Sequence, residues 1–287
     1  MSQIIRLAGA LGALMMAYVT PMAAQAARAE EPLRVGMIPD AGATQVSIEE
    51  KAPLQKYLSE KLGRPVKLII PTNYNATVEA LGNGSLDIAY LGGLTYVKAH
   101  ARYGAVPLVQ RDIDRQFHSL FITGVGSGIT KLADLKGKTF CFGDINSTSG
   151  HLIPELILHD AGLNPKTDFK GFRYTGSHPA TAQAVAAGIC AAGAIDESVF
   201  HALVNGGKIG KDRVKVFLKS QPFADYVWAA RKDLKPDVRE AFAAAFLSLK
   251  PGLDDAVLKI LRGTKFERAS DASYQGVAKT AKALGLE

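Results

Sequence analysis

The chain has 287 residues, a formal net charge of +7 and two cysteines. Its basic residues are scattered and form no cluster interleaved with aromatic residues, which argues against a nucleic-acid-binding protein. The length exceeds that of a usual single domain, so we expect either one large domain or two smaller ones.

The N-terminal segment has the pattern of a secretory signal peptide. A weakly basic start is followed by an apolar run at residues 7–19, too short to span a bilayer comfortably, and then by small and polar residues up to Ala29. We place the signal peptide at residues 1–29, with Ala26 as an alternative cleavage position. Its removal leaves 32 basic and 27 acidic side chains, a charge of +5 that suits an anionic small molecule. We therefore expect a soluble, exported protein.

Downstream, strand-like and helix-like segments alternate along the chain. The clearest helix is predicted at residues 47–63, where Ser47 can be the N-cap, Glu50 lies three residues later and Gly63 ends the helix. The predicted strands are residues 33–39, 66–71, 86–93, 106–112, 119–126, 138–142, 169–175, 189–196 and 214–220. The other predicted helices are residues 75–84, 94–104, a segment starting near 147, 177–188, 197–207 and 236–249. This order predicts parallel, helix-covered sheets.

The alternation divides into two series joined by two crossovers. The first series and the C-terminal tail form one predicted lobe, residues 30–125 and 226–287, and the second series forms the other, residues 126–225. The expected fold class is α/β, two-lobed, with a mainly parallel sheet flanked by helices in each lobe and a ligand cleft between the lobes. Closure would be a hinge motion about the connections near residues 124–127 and 221–226.

The stretch GDINSTSGHLIPELILHDAG, residues 143–162, carries three adjacent hydroxyl residues, Ser147, Thr148 and Ser149, after a strand and before a helix. Unpaired N–H groups at a helix start, rotatable hydroxyl donors and the following glycine suit a tetrahedral oxyanion. A plain helix cap by Ser147 or Ser149 explains the same residues about equally well. A nucleophilic serine is disfavoured because the stretch lacks the G-x-S-x-G pattern. We therefore expect no enzymatic activity.

Metal and redox chemistry find little support in the sequence. His151 and His159 lie eight residues apart and are interpreted as residues of a helix surface. Cys141 and Cys190 lack the spacing of a redox motif or a zinc site, and export permits a disulfide. Their strands are predicted to be neighbours in one sheet, so we interpret the cysteines as a close, buried structural pair, bonded or not. No metal and no cofactor are expected.

Several motifs in order give the mature chain a further interpretation. GDINSTSGHLIPELIL is close to the pattern D-x-N-S-T-S-G-x-x-x-P, and it is preceded by LADLKGKTFCFGD, followed by GSHPATAQAV and matched in the first lobe by YNATVEALGNGSLDIAYLGGLTYV. With these motifs the chain resembles the periplasmic phosphate-, phosphite- and phosphonate-binding proteins of ABC transporters. The resemblance implies a type II periplasmic binding fold. It also implies a monomeric periplasmic protein that delivers a phosphorus oxyanion to a membrane ABC permease.

The resemblance also implies a set of ligand-binding residues. The Ser-Thr-Ser helix start would hold the oxyanion, a tyrosine of the first lobe would close on it, and a histidine after the next strand would bind it too. Two acidic residues would bind a ligand amine or a protonated oxygen. The implied residues are Tyr74, Ser147, Thr148, Ser149, His178, Glu197 and Asp225.

The chain departs from the family pattern near the first crossover. Where the phosphonate-binding relatives have a tyrosine, this chain reads RQFHSLFI, with Phe117 and His118. Phosphite, methylphosphonate, phosphate and a larger aminophosphonate therefore all remain candidate ligands. The alternative function is a periplasmic sensor that binds an oxyanion such as arsenite through a cysteine, for example Cys141, and presents its bound form to a sensor kinase.

Overall fold

The computed structural model describes residues 31–41 and 48–287. The predicted signal peptide at residues 1–29 and the predicted Ser47 cap lie outside these described residues. The described helices are all too short or too polar to cross a bilayer.

The described part of the chain alternates between strands and helices. The strands are β1 Leu33–Met37, β2 Val66–Ile69, β3 Ile88–Leu91, β4 Val106–Arg111, β5 Ser119–Gly124, β6 Thr139–Phe142, β7 Gly171–Tyr174, β8 Ala192–Asp196, β9 Val214–Lys219, β10 Val227–Ala230 and β11 Phe266–Arg268. The α-helices are α1 Ala52–Leu62, α2 Tyr74–Gly82, α3 Gly93–Tyr103, α4 Ile153–Asp160, α5 Pro165–Asp168, α6 His178–Ala186, α7 Glu197–Asn205, α8 Pro236–Leu247, α9 Asp255–Leu261 and α10 Gln275–Ala283. A π-helical turn at Thr148–Leu152 leads directly into α4.

These strands form two sheets flanked by helices, as the sequence predicts. The first sheet has the order β11-β4-β10-β3-β1-β2 and the second has the order β7-β6-β8-β5-β9. We call each sheet with its packed helices a lobe. The strands β3 and β10 are buried along their whole length, since helices cover both faces of the sheet.

Each sheet is mixed, whereas the sequence led us to expect mainly parallel sheets. The parallel pairs are β1 with β2 and β3, and β6 with β7 and β8. Every antiparallel pair includes a strand that precedes or follows a passage between sheets, namely β4, β5, β9 or β10. A passage between sheets lets the chain re-enter in the opposite direction, which a βα repeat within one sheet does not.

The two crossovers between the sheets are hydrogen-bonded to each other. The chain leaves the first sheet after β4 and enters the second at β5, so the first passage spans residues 112–118, and the return spans residues 220–226. The backbone N–H of Phe117 donates to the Phe223 carbonyl at 2.9 Å, and the Phe223 N–H donates back at 3.0 Å. The predicted lobe boundaries at residues 125 and 226 remain a prediction, and the first passage itself ends where β5 begins.

Cys141 and Cys190 are joined by a disulfide with a Cα–Cα distance of 5.8 Å. Cys141 lies in β6, Cys190 lies just before β8, and both are buried in the second lobe's core. The bond ties the strand that leads into the Ser-Thr-Ser turn to its neighbour in the sheet.

The disulfide should stabilise the second lobe. Closing a loop with a sequence separation of 49 residues removes chain entropy from the unfolded state, about 4 kcal/mol in the entropic estimate. We expect Cys141→Ala/Cys190→Ala to lower the free energy of unfolding by about 2–4 kcal/mol in equilibrium urea unfolding. Alkylation of the unfolded protein without reductant serves as the control for the bond. Two labels in that control would contradict the bond itself.

Candidate functional site

Helix starts from both lobes meet between the two sheets. Tyr74 is the first residue of α2, His178 is the first residue of α6, and Thr148 begins the π-helical turn. Each follows a capping side chain: Asn73, Ser177 and Ser147 all accept a hydrogen bond from the first turn. In open α/β sheets the helices begin at the carboxyl ends of strands, where ligands bind. The geometry therefore brings these predicted site residues together.

The Ser-Thr-Ser turn combines the two alternatives that the sequence left open. Ser147, Thr148 and Ser149 are all buried. The Ser147 hydroxyl accepts from the Gly150 N–H at 2.9 Å, so it is a helix cap. A hydroxyl also carries one proton to donate, and the first N–H groups of a helix have no partner within that helix. Capping and oxyanion binding are thus compatible in the same turn.

Asp225 and Thr148 accept hydrogen bonds from the start of α3, a helix that the sequence predicted at residues 94–104 without assigning it to the site. The Gly93 N–H donates to Asp225 Oδ1 at 2.9 Å and the Leu94 N–H donates to Thr148 Oγ1 at 3.0 Å. A Cβ on Gly92 would lie 3.3 Å from both of those acceptor atoms, so α3 can approach this closely because glycine is present. The Gly-Gly pair between a strand and a helix was the available signal.

The Asp225 carboxyl is close to its protonation midpoint at neutral pH. Burial and then the nearby Asp196 carboxylate raise its pKa from 3.8 to about 7, against hydrogen bonds from the Gly93 N–H and the Thr148 hydroxyl. Asp225 is therefore able to donate a proton to a ligand oxygen or to accept one from a ligand hydroxyl.

His178 is held as a neutral hydrogen-bond donor. Its Nδ1 accepts from the Asp196 backbone N–H at 3.3 Å, so Nε2 carries the ring proton in the neutral tautomer that these contacts assign. Burial lowers the pKa of the imidazole, although the carboxylates of Asp196 and Asp40 oppose that change. The backbone N–H of His178 donates to the Asp40 carbonyl of the first lobe at 3.2 Å.

The Tyr74 hydroxyl is buried without a hydrogen-bond partner within the described residues, and Asp196 Oδ2 is as well. Burial and then the charges of Asp40, Asp144, Asp196 and Asp225 raise the Tyr74 pKa well above its ordinary value, so the hydroxyl stays protonated. Native proteins rarely bury such groups unpaired. Both groups belong to helix starts, Tyr74 as the first residue of α2 and Asp196 as the cap of α7.

The structure does not bring Glu197 into this group. Its Oε1 lies 2.6 Å from Lys219 Nζ and 3.8 Å from His201 Nε2, on the partly exposed side of α7. Asp196, one residue earlier, caps α7 through Oδ1, and its Oδ2 is buried without a hydrogen-bond partner among the described residues. The ligand contact of Glu197 remains a prediction from the sequence.

His151 is buried and not on the helix surface as predicted. Its Nδ1 lies 2.7 Å from the Ile145 carbonyl oxygen and its Nε2 lies 3.1 Å from the Tyr174 hydroxyl. Burial lowers its pKa to about 4, so it is a neutral structural residue. His159 is exposed, as expected.

Phe117, which stands where the family pattern implied a tyrosine, is a buried apolar ring. Phe117 packs edge-on against Tyr226 at 5.7 Å between ring centroids, and Tyr226 stacks on Tyr90 at 5.0 Å. The Tyr226 hydroxyl donates to Asp40 Oδ2 at 3.2 Å. The neighbouring residue His118 has its Nδ1 2.8 Å from the Ser220 carbonyl oxygen.

The arsenite alternative loses its ligand in this structure. It required a free thiol near the cleft, and both Cys141 and Cys190 are bonded and buried. Among the described residues, no group of three or more His, Cys, Asp or Glu is arranged to hold a metal ion.

Two mixed sheets, two crossovers and a buried polar cluster of helix starts between them define a substrate-binding protein of the type II periplasmic binding fold. The family model for the ABC transporter, phosphonate, periplasmic substrate-binding protein matches residues 35–274. The chain belongs to this family.

Individual relatives cover most of the chain. A probable ABC transporter phosphite-binding protein, PhnD1 of Prochlorococcus marinus, is 32% identical over 88% of this chain and 89% of its own length. The phosphate-import protein PhnD of Mycolicibacterium smegmatis is 28% identical over 82% of this chain and 80% of its own length. The structure of Prochlorococcus marinus PhnD1 in complex with methylphosphonate superposes with a TM-score of 0.84. That superposition has 28% identity and covers 89% of this chain and 98% of that chain.

Gly150 should not tolerate a side chain. A Cβ there would lie 2.9 Å from Ser147 Oγ and 3.1 Å from both Gly143 Cα and His178 Cε1. We expect Gly150→Ala to lower the free energy of unfolding by about 1–3 kcal/mol, the usual range for overpacking. The control is Gly276→Ala in α10, where nothing lies within 4 Å of the added Cβ. Equal urea midpoints for the two variants would contradict this account.

The raised pKa of Asp225 predicts a pH-dependent stability. Between its ordinary value of 3.8 and about 7, the folded chain holds a proton that the unfolded chain has lost. Stability therefore falls as pH rises through this window and levels off above it. Wild type should lose about 3 kcal/mol of stability from Asp225 between pH 5 and pH 8, and Asp225→Asn should not show this loss.

Urea unfolding at both pH values measures this loss. Asp160→Asn, at an exposed end of α4 with a side chain 67% exposed, is the matched control and should show the same loss as wild type. Parallel pH profiles for wild type and Asp225→Asn would show that Asp225 is ionised throughout.

Proposed function

We propose that this protein captures a small phosphorus oxyanion in the periplasm, phosphite or methylphosphonate in preference to larger phosphonates, and delivers it as a monomer to a membrane ABC permease. The observation that carries the proposal is the convergence of buried donors on one place. These are the unpartnered Tyr74 hydroxyl, the Nε2–H of His178 and the Ser-Thr-Ser helix start. Positioned donors in a desolvated site bind an anion without any catalytic step.

Acceptors in the same site favour an oxyanion that retains a proton. Asp225, with a pKa of about 7, shares a proton with a ligand oxygen whichever of the two partners brings it. Asp196 Oδ2 is a second acceptor with no partner among the described residues. Phosphite, phosphonates and phosphate all titrate with one hydroxyl near neutral pH, whereas sulfate has no proton to share. Because a protonated Asp225 can itself donate to sulfate, it is Asp196 Oδ2 that supports a phosphorus oxyanion over sulfate.

The surroundings favour a small and uncharged substituent. Glu197, the predicted partner of a ligand amine, is paired with Lys219 outside the site. The Asp40 carboxylate is already bound by Arg262 and by the Tyr226 hydroxyl. Phe117 places an apolar ring where the sequence comparison implied a tyrosine. The named ligands of the Prochlorococcus marinus protein, phosphite and methylphosphonate, have the same small size.

The remaining features agree with a periplasmic receptor. The sequence predicts a signal peptide at residues 1–29, and the buried Cys141–Cys190 disulfide is of the kind that oxidising compartments permit. The family to which the chain belongs consists of substrate-binding components of ABC transporters.

Calorimetric titration of the mature protein tests this function. We expect phosphite and methylphosphonate to bind most tightly, phosphate and aminoethylphosphonate less tightly, and sulfate least. Tyr74→Phe removes only the unpartnered hydroxyl, so it should weaken binding by about 1–3 kcal/mol while leaving the ligand-free protein at least as stable as wild type.

Glu197→Gln is the matched control and should bind like wild type, because its carboxylate contacts Lys219 and not the site. Failure of all four phosphorus ligands to bind would refute the proposal. If aminoethylphosphonate binds most tightly and Glu197→Gln loses affinity, Glu197 contacts the ligand amine as the resemblance implies.

A further inference from the structure

Arg262 occupies a backbone position that normally belongs to glycine. It follows α9 with φ 52°, and within the described part of the chain it is the one non-glycine residue with a positive φ. Helices that end in this left-handed conformation usually do so at glycine, because a side chain there is strained. Such strain persists where surrounding structure holds it, and it clusters at functional sites. The presence of arginine and not glycine at this position therefore indicates that its side chain has a role.

The backbone of Arg262 is held from the last residue of β4, next to the first crossover. Arg111 Nη1 donates to the Leu261 carbonyl at 3.0 Å and to the Arg262 carbonyl at 3.2 Å. Arg111 is itself buried and paired with Asp114, with Nε 2.9 Å from Oδ2. The end of α9 is thus fixed to the connection between the lobes.

The side chain of Arg262 joins the two lobes. Its Nη2 donates to the carboxylate of Asp40, which follows β1 in the first lobe. Its Nε donates to Ser198 Oγ at 3.1 Å, on α7 of the second lobe. One guanidinium therefore bridges the cleft, a task that its planar fork of donors suits.

Both partners of Arg262, Asp40 and Ser198, are connected to His178 by hydrogen bonds. Ser198 Oγ donates to Asp196 Oδ1 at 2.7 Å, and the Asp196 N–H donates to His178 Nδ1 at 3.3 Å. On the other side, the Asp40 carbonyl accepts from the His178 N–H at 3.2 Å. Arg262 thus closes a ring of contacts that holds the His178 imidazole on one side and the His178 backbone N–H on the other.

Arg262 also lies at the outer edge of the site. It lines two surface cavities, one of about 640 Å³ shared with Ser198 and His201, and one of about 250 Å³ shared with Ala41 and Gln183. Removing the guanidinium would open the Asp40 side of the site towards these cavities.

We propose that Arg262 is a positioning residue that latches the two lobes over the bound oxyanion and orients His178, and that it sets affinity chiefly through the rate of ligand release. The latch rests on the proposed function, because it acts on the ligand of that site. Neither the family match nor the sequence motifs point to this residue.

Arg262→Gly is a sharp test because glycine relieves the strained φ while removing the guanidinium. The ligand-free protein should lose stability, because the buried Asp40 carboxylate loses its cation, and relief of the strained φ should offset part of that loss. The Kd for methylphosphonate should rise at least tenfold, with most of the change in the dissociation rate measured by stopped flow. Arg262→Lys keeps the charge without the fork and should fall between wild type and Arg262→Gly.

Arg268→Ala is the matched control. It removes an arginine that is half exposed and paired with Glu240 away from the cleft, so its Kd should stay within twofold of wild type. An equal loss of affinity in the two variants overturns the latch. Wild-type affinity in Asp40→Asn/Arg262→Gly, which removes both members of the ion pair, also overturns it, because the loss would then come from the unpaired Asp40 carboxylate.

A ligand-independent readout separates failure of the latch from failure of the proposed function. The charged groups that face His178 are Asp196, Asp40, Asp144 and Arg262, and among them Arg262 alone lowers the His178 pKa. NMR titration of the His178 ring should therefore show a higher pKa in Arg262→Gly than in wild type. If wild type binds neither phosphite nor methylphosphonate but this shift is present, the proposed function fails and the positioning role stands. If wild type binds and Arg262→Gly changes neither Kd nor the His178 titration, the latch fails alone.

Discussion

The desolvation of charge is the constraint on which the site depends. Four carboxylates, Asp40, Asp144, Asp196 and Asp225, act on the buried Tyr74 hydroxyl, yet the site is proposed to receive an anion. Four unpaired buried charges would exclude such a ligand and would destabilise the fold. Arg262 compensates Asp40, and burial keeps a fraction of Asp225 protonated near neutral pH. The site is therefore acidic in composition while much of its negative charge is compensated or protonated.

Backbone N–H groups at helix starts supply most of the positive potential in the site, and few cationic side chains are needed. Three helices and the π-helical turn begin at Tyr74, Gly93, Thr148 and His178, and each start directs N–H groups towards the space between the sheets. Parallel strands in both sheets bring these starts to the same edge, while the antiparallel strands near the crossovers bring the two edges face to face. A mixed sheet is thus a requirement of the site's geometry as well as a departure from the simplest βα repeat.

The sequence predicts those parts of the site that depend on local patterns. A strand followed by a capped helix is readable from the chain, and it correctly places Tyr74, His178 and the hydroxyl residues at helix starts. Asp196 was not assigned to the site, because choosing between it and the adjacent Glu197 requires knowing which acid caps the helix. Arg262 could not be predicted, since its partners Asp40 and Ser198 are distant in sequence. The three-residue strand β11 lacks enough length to show a period.

The unpartnered Tyr74 hydroxyl and Asp196 Oδ2 connect stability with binding. Each buried polar atom without a partner lowers the stability of the ligand-free fold by roughly 1–3 kcal/mol. A ligand that supplies both partners recovers this free energy only when both lobes surround it, because Tyr74 belongs to the first lobe and Asp196 to the second. Binding and closure are therefore favoured by the same contacts, and an anion that offers an acceptor but no proton satisfies only one of the two atoms. The discrimination among oxyanions in such a site follows from the number of protons that the ligand brings as well as from its charge.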